Sequence, residues 1–231
     1  MKRPYAIAAI RPTPAGHGVT LDGRPLKTPG KREFIVPSAA LAAAIAAEWN
    51  REGDALRPAR MRLTRLANAA IDRAPIERSG LVAETSRYAG TDLLCYRADY
   101  PSSLAERQHK AWQPLLDWAM RRYDAPLLVT TGVIPKRQRP EALRALARAV
   151  EATDNFSLVA LHSLAAACGS LVIALALLEG RLDAEAAFAA CELEETFEIE
   201  SWGEDLGQAA SRRERESEIK AAARFLALLR A

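Results

Sequence analysis

Short apolar runs separated by turn-forming residues fill the first 36 residues of the chain. The runs are YAIAAI (5–10), VTL (19–21) and EFIV (33–36). Asp22-Gly23 is a dipeptide that favours a tight hairpin, because glycine accepts a positive φ without a steric clash. Thr28-Pro29-Gly30 predicts a second turn, which leads into the run EFIV. We therefore predict a small, twisted antiparallel sheet of three or four strands.

The pattern changes to a helical period after residue 37. The stretch SAALAAAIAAEWNREG (38–53) is rich in alanine, with Ser38 as a good N-cap and Gly53 as a C-terminal stop. We expect this helix to lie across one face of the sheet.

From Met61 onward nearly every segment has the spacing of a helix, and no internal repeat or low-complexity linker interrupts the series. The predicted helices are 61–74, 76–90, 103–123, 139–153, 155–180, 183–205 and 211–229. The fold class is therefore α+β. We predict a small antiparallel-sheet domain with a packed helix over residues 1–58 and a larger all-α domain over 59–231, although the boundary could also lie nearer residue 100.

The longest apolar run, LAAACGSLVIALALL (164–178), is fifteen residues long. A membrane-spanning helix needs about 20 residues, so we interpret this run as a buried core helix. Prolines and an arginine at positions 4, 11, 12 and 14 interrupt any apolar segment near the N-terminus, which argues against a signal or transit peptide. Three cysteines without a CxxC pair favour reduced thiols. We expect a cytoplasmic protein without stable membrane insertion.

Charge is nearly balanced, with 32 basic residues, 29 acidic residues and a net charge of +3. A balance of this kind gives no general attraction to nucleic acid or to anionic membranes. Basic clusters such as Arg212, Arg213 and Arg215 have no interleaved aromatic residues on which bases could stack. We interpret these clusters as solvated faces and expect no nucleic-acid partner.

No catalytic or cofactor motif is complete in this sequence. Gly23 and Gly30 have the wrong spacing for a phosphate-binding loop, and a strand rather than a helix follows them. Ser170 lacks the G-x-S-x-G context of an activated serine, and His162 lies on an apolar helix where a hydrogen-bonded core residue is expected. We predict a protein that is not an enzyme and that needs no cofactor.

One stretch departs from this ordinary composition. Residues 192–206, ELEETFEIESWGEDL, contain seven acids among fifteen residues. Metal binding is disfavoured, because the stretch has no histidine and two carboxylates at i and i+4 make a poor closed site. We therefore interpret the segment as a candidate contact surface rather than as a metal centre.

A helical wheel of residues 183–205 has two apolar sides. At 100° per residue, the predicted core seam is Ala186, Ala189, Ala190, Leu193 and Phe197. Glu194, Glu198 and Asp205 form an acidic ridge beside that seam. Roughly opposite lies an apolar group of Phe188, Ile199 and Trp202, together with Glu195. An ordinary surface helix has one apolar stripe, so this helix is either buried on both sides or presents an exposed contact surface.

Eight stretches of the chain, in colinear order, resemble one protein family. They are VTLDGRPLKTPG (19–30), AAEWNREG (46–53), MRLTRLANAAID (61–72), SRYAGTDLLCYRA (86–98), AWQPLLDWA (111–119), LVALHSL (158–164), GSLVIALAL (169–177) and LEETFEIESWGED (193–205). They resemble the chaperones that assemble the catalytic head of the proton-translocating ATP synthase. The resemblance departs at His17-Gly18, where the family often has an aromatic residue, and at Arg62, where it often has proline.

The resemblance implies an assembly factor that holds the free alpha subunit of the catalytic head before it pairs with beta. The acid that is functionally marked in the family lies in an L-E-E block and matches Glu194, with Glu195 adjacent. Mitochondrial members carry a transit peptide that this chain lacks, which points to a bacterial protein. We also expect the protein to be a monomer when free. We hypothesise that the acidic ridge pairs with basic groups of alpha while Phe188, Ile199 and Trp202 cover an apolar patch.

Two other classes of function stay open at this point. An adaptor for a different oligomeric complex would use the same surface. A hydrolase that uses the acids as a general acid/base pair would require a closed cleft and a carboxyl group of raised pKa.

Overall fold

Four strands near the N-terminus form one antiparallel sheet in the computed structural model, which describes residues 3–132, 136–203 and 205–231. The strands are β1 (Ala8–Thr13), β2 (Gly16–Leu21), β3 (Arg24–Pro25) and β4 (Ile35–Val36). The long strand β2 pairs with β1 along one edge and with both short strands along the other. The predicted sheet of three or four strands is confirmed.

The two predicted turns form where the sequence places them. Asp22 and Gly23 both have positive φ, 48° and 78°, as the tight hairpin between β2 and β3 requires. The backbone N–H of Lys31 donates to the carbonyl of Thr28 at 2.9 Å and closes the second turn.

Helix α1 (Ala39–Arg51) packs on the sheet, as predicted. Ser38 is its N-cap, and the Ser38 hydroxyl accepts from the backbone N–H of Leu41 at 3.1 Å. The helix ends at Arg51, two residues before the predicted stop at Gly53. Its apolar side, which includes Leu41 and Ile45, is completely buried.

The remaining helices follow in chain order. They are α2 (Arg62–Asp72), α3 (Ala74–Arg87), α4 (Ser102–Tyr123), α5 (Pro140–Glu151), α6 (Asn155–Cys168), α7 (Leu171–Leu178), α8 (Ala184–Cys191), α9 (Leu193–Trp202) and α10 (Leu206–Arg230). Two further strands, β5 (Tyr96–Arg97) and β6 (Thr130–Thr131), form a short parallel pair that the sequence did not predict. With two residues each, these strands are too short to produce an alternating pattern.

The chain divides into two compact units. The first comprises residues up to Arg78 together with Asp154–Ala160 and Ala221–Ala231, and it contains the four-stranded sheet. The second comprises Ser79–Thr153 and Leu161–Lys220 and contains the helices α4, α5, α7, α8 and α9. The division into domains at residues 58 and 59 stays a prediction.

The predicted single helix over 155–180 is wrong, because the chain breaks between α6 and α7. Gly169 has a φ of +60°, and Ser170 then caps α7. Both features bring the chain to the buried carboxylate of Asp92, which accepts from the Ser170 hydroxyl at 2.7 Å and from the Val172 N–H at 3.0 Å. Helix α7 itself is buried from Leu171 to Leu177, as expected for the apolar run. Within the described ranges, no helix has the length and apolar character needed to span a bilayer.

Candidate partner-binding surface

The acidic stretch lies on two helices rather than on one. Helix α8 ends at Cys191, Glu192 has a φ of −101° and a ψ of 16°, and α9 begins at Leu193. The predicted continuous helix over 183–205 is therefore wrong. A constant step of 100° per residue does not hold across this break, so the predicted core seam is wrong in part: Ala186 and Ala189 are exposed, although Ala190 and Leu193 are buried.

The break turns the side chain of Glu192 inward. Only 1% of this side chain is exposed, and Arg215 of α10 donates to its carboxylate. Arg212 lies on the other side, with 3.3 Å between its Nε and Glu192 Oε2. The interpretation of Arg212 and Arg215 as part of a solvated basic face is therefore wrong, because both are partners of a buried acid. In the sequence, nothing distinguishes Glu192 from its acidic neighbours.

The three acids of the predicted ridge lie at the surface of the second unit. Glu194 and Glu198 are exposed on α9, and Asp205 is exposed just before α10. Together they line an open pocket of about 590 Å³. The carboxylate of Asp205 also accepts from the backbone N–H of Gly207 at 2.8 Å, which anchors the start of α10. The ridge therefore combines residues from both sides of the turn between α9 and α10.

Glu194 accepts a hydrogen bond from Gln108, a buried residue that the sequence did not identify. Gln108 of α4 is completely buried, and its Oε1 accepts from the backbone N–H of Ala98 at 2.8 Å. This contact fixes the orientation of the amide, so that Nε2 donates to Glu194 Oε1 at 2.5 Å. Although Glu194 as a whole is exposed, its carboxyl group is partly buried against Gln108, and this partial burial raises the pKa of Glu194. The Gln108 hydrogen bond opposes the effect and the charge of Glu198 adds to it. A single Gln in a helix gives no sequence signal for such a contact.

Glu195 is not presented in the same way as Glu194. It is half-buried, and its Oε2 lies 3.4 Å from Nη1 of Arg215. Glu192 and Glu195 thus share one arginine, which compensates charge that would otherwise add to the acidic ridge.

The apolar group does not form one continuous stripe. Trp202, at the end of α9, is 79% exposed, and Ile199 one turn earlier is half-buried. Phe188 lies on α8, before the break at Glu192, and the guanidinium of Arg212 covers its ring at 5.2 Å from the centroid. Trp202 is therefore the most exposed apolar side chain of this group.

No group of three or more histidine, cysteine, aspartate or glutamate side chains that could hold a metal ion occurs among the residues described. The three ridge carboxylates are exposed at the surface. A general acid/base pair would require a closed cleft and a carboxyl group of raised pKa. The pKa of Glu194 is raised, but the ridge acids lie in an open pocket.

A family model, a relative of known name and solved structures all indicate the same family. A family model described as ATP12 chaperone protein matches residues 2–120. The mitochondrial protein atp12 of Schizosaccharomyces pombe is 28% identical in an alignment of 197 residues that covers 80% of this chain and 68% of that protein. The crystal structure of Atp12 from Paracoccus denitrificans has a TM-score of 0.92 at 41% identity and covers 99% of this chain and 98% of its own. The Atu1473 protein of Agrobacterium tumefaciens has a TM-score of 0.93 at 35% identity, covering 99% of this chain and 86% of that one.

Proposed function

Since this chain belongs to the ATP12 chaperone family, whose members assist ATP synthase assembly, we propose that it binds the free alpha subunit of the catalytic head before that subunit pairs with beta. In this proposal the protein acts in the bacterial cytoplasm, as a monomer and without enzymatic activity. The contact surface is the acidic ridge together with Trp202, Ile199, Phe188 and Glu195.

The observation that carries this proposal is the exposure of Trp202 beside the acidic ridge. A tryptophan that is 79% exposed contributes apolar area that a folded protein normally buries. Tryptophan is also among the residues that most often supply binding energy at the centre of an interface. Glu194 and Glu198 lie on the same helix as Trp202, so one partner surface can contact the apolar and the charged groups together.

The side chains of the surface have separate roles in the proposal. Glu194, Glu198 and Asp205 attract and orient basic residues of alpha, since charges at the edge of an interface mainly set the association rate and the choice of partner. Trp202 and Ile199 cover an apolar patch that beta later covers. Phe188 adds only the part of its ring that Arg212 leaves uncovered. A small interface of this kind suits a chaperone, because alpha must be released.

Co-expression with the alpha subunit of the same organism tests the proposal. Wild-type protein should increase the amount of soluble alpha, and Glu194→Gln and Trp202→Ala should each reduce this effect. Glu200→Gln is the matched control, because Glu200 is a glutamate of the same helix that is already paired with Arg107 at 2.8 Å. Circular dichroism should show that all three variants are folded. In Paracoccus denitrificans Atp12p, an aspartate-to-lysine variant keeps the same fold, with a TM-score of 0.92 to this chain.

Three results would count against the proposal. If wild-type protein left the solubility of alpha unchanged, the adaptor function would become the better explanation. If Glu200→Gln were as harmful as Glu194→Gln, general charge rather than the acidic ridge would be responsible. If Glu194→Gln unfolded the protein, the acid would be structural.

A further inference from the structure

A second concave surface lies on the first unit. It is a pocket of about 500 Å³ between the segment 26–29, which leads from β3 into the second turn, the end of α1, the segment 56–61 and α2. Most of its wall is apolar. The apolar side chains that form it include Leu26, Pro29, Trp49, Leu56, Pro58 and Met61.

The walls of this pocket are held in place by the contacts of two half-buried acids, Asp72 and Glu48. The carboxylate of Asp72, at the end of α2, accepts from the Thr28 hydroxyl and from the backbone N–H of Gly30, both at 2.7 Å. Glu48 of α1 accepts from the backbone N–H groups of Leu63 and Thr64 at 2.9 Å each. The second turn, α1 and α2 are thereby tied to one another. A pocket formed in advance binds with a smaller entropic cost.

Two polar atoms of the lining residues have no hydrogen-bond partner within residues 3–132, 136–203 and 205–231. They are the indole Nε1 of Trp49 and the amide Oδ1 of Asn68, and both are shut off from water. Buried polar groups are almost always paired, so an unpaired donor and an unpaired acceptor at one pocket require an explanation. A peptide group offers both complementary partners, a carbonyl for Trp49 and an N–H for Asn68. Small side-chain rotations of the kind that accompany binding would expose the two atoms to it.

The rim of the pocket is positively charged. Lys27 and Arg65 line it, and the segment 57–65 that borders it contains four arginines and no acid. The nearby carboxylate of Glu52 accepts from the backbone N–H of Arg57 at 2.6 Å, so it is directed toward the chain itself. An occupant with negative charge around an apolar centre is therefore complementary to this pocket.

We propose that this pocket binds an acidic segment of a polypeptide, with one large apolar side chain inserted among Leu26, Trp49 and Met61. Lys27 and Arg65 contact the acids that flank that side chain, and Trp49 and Asn68 pair with its backbone. The proposal is independent of the acidic ridge and of alpha-subunit binding, and it gives the protein a second recognition surface of opposite charge.

The test uses a ten-residue peptide with a central Leu-Phe pair flanked by aspartate and glutamate. The readout is the indole N–H resonance of Trp49 in a two-dimensional NMR spectrum, assigned by its disappearance in Trp49→Phe. The acidic peptide should shift this resonance in a saturable manner. A peptide with lysines in place of the acids, and one with serines in place of Leu-Phe, should bind roughly tenfold more weakly or not at all.

Two sets of variants locate the binding. Ala59 is exposed and lines the pocket, so Ala59→Phe fills the space without disturbing the core and should abolish the shift. The double reversal Lys27→Glu with Arg65→Glu should weaken the acidic peptide by roughly tenfold and strengthen the lysine peptide. Glu194→Gln should bind the acidic peptide as wild type does.

The proposal is overturned if the acidic peptide causes no saturable shift, or if the charge reversals leave the preference between the two peptides unchanged. It is also overturned if the Trp49 resonance shifts with protein concentration alone, because a second copy of the chain would then be the occupant. Loss of alpha solubilisation in Glu194→Gln, with peptide binding intact, would separate the two surfaces from each other.

Discussion

Replacing Gln108 by methionine removes the contact that positions Glu194. Methionine has a similar length but can neither accept from the Ala98 N–H nor donate to the Glu194 carboxylate, which Gln108 contacts at 2.8 Å and 2.5 Å. The side chain of Gln108 is completely buried, so water cannot easily take its place. The substitution should therefore affect both the stability of the protein and the state of Glu194.

The size of the stability loss follows from the two broken contacts. Leaving a buried backbone donor without a partner costs about 1–3 kcal/mol. Ala98 is only half-buried and Glu194 can regain a hydrogen bond from solvent, so we expect about 2 kcal/mol rather than a larger sum. For a chain of this size, that loss lowers the melting temperature by about 4–8 °C. The pKa of Glu194 should rise further, because the hydrogen bond that lowers it is lost.

Gln113→Met is the matched control, since it makes the same exchange on the same helix. Gln113 is half-buried and donates to Asp117 at 2.8 Å, a local pair one turn away whose loss costs about 0.5 kcal/mol or less. Urea unfolding gives the free energies, and an NMR titration of the Glu194 carboxyl carbon gives its pKa. Equal stability losses in the two variants, or an unchanged pKa of Glu194 in Gln108→Met, would refute a positioning role for Gln108.

Three further substitutions test other parts of the structure. Glu192→Gln should lower the unfolding free energy, measured by urea titration, by about 3–5 kcal/mol, because it leaves two arginines beside a buried neutral group. Glu200 is exposed, so Glu200→Gln should cost less than about 1 kcal/mol in the same titration. Burial raises the pKa of Asp92 from 3.8 to about 6, so the folded state holds this proton more tightly than the unfolded chain. Stability should therefore fall by about 2 kcal/mol as the pH rises from about 4 to about 6. Asp92→Asn should remove that dependence, and a persisting slope would assign it to another group. Ser38→Ala should cost about 1 kcal/mol in thermal unfolding through the lost cap of α1, and a neutral result would mean that the Ser38 hydroxyl does not stabilise the helix.

The features that the sequence predicted correctly depend on neighbouring residues. The hairpin at Asp22-Gly23 needs only positive φ at two adjacent positions, and the start of α1 needs only the hydroxyl of Ser38 three residues before Leu41. Local structure of this kind can be predicted from a few consecutive residues. The membership of the chain in its family could likewise be predicted, because long stretches of sequence carry it.

The features that were missed depend on residues far apart in the chain. The break before α7 is stabilised by Asp92, 78 positions before Ser170, and the contact between Gln108 and Glu194 spans 86 positions. A helical wheel contains no information about such partners. It therefore extended both helices through their breaks, and in the second case it placed Ala186 and Ala189 in a core that they do not enter.

The buried ion pair of Glu192 changes the meaning of the charge in this stretch. Seven acids in fifteen residues suggest one continuous negative surface. However, Arg215 compensates the charge of the buried Glu192 and also lies beside the carboxylate of Glu195. Because the break at Glu192 ends one helix and starts the next, the same pair that removes this charge also sets the direction in which α9 presents Glu194, Glu198 and Trp202. Substitutions at Glu192 should therefore impair the proposed partner binding through the geometry of α9 alone, because its side chain is buried. Arg215 also lines the pocket of the acidic ridge, so its substitution should act through that geometry and through the charge of the pocket.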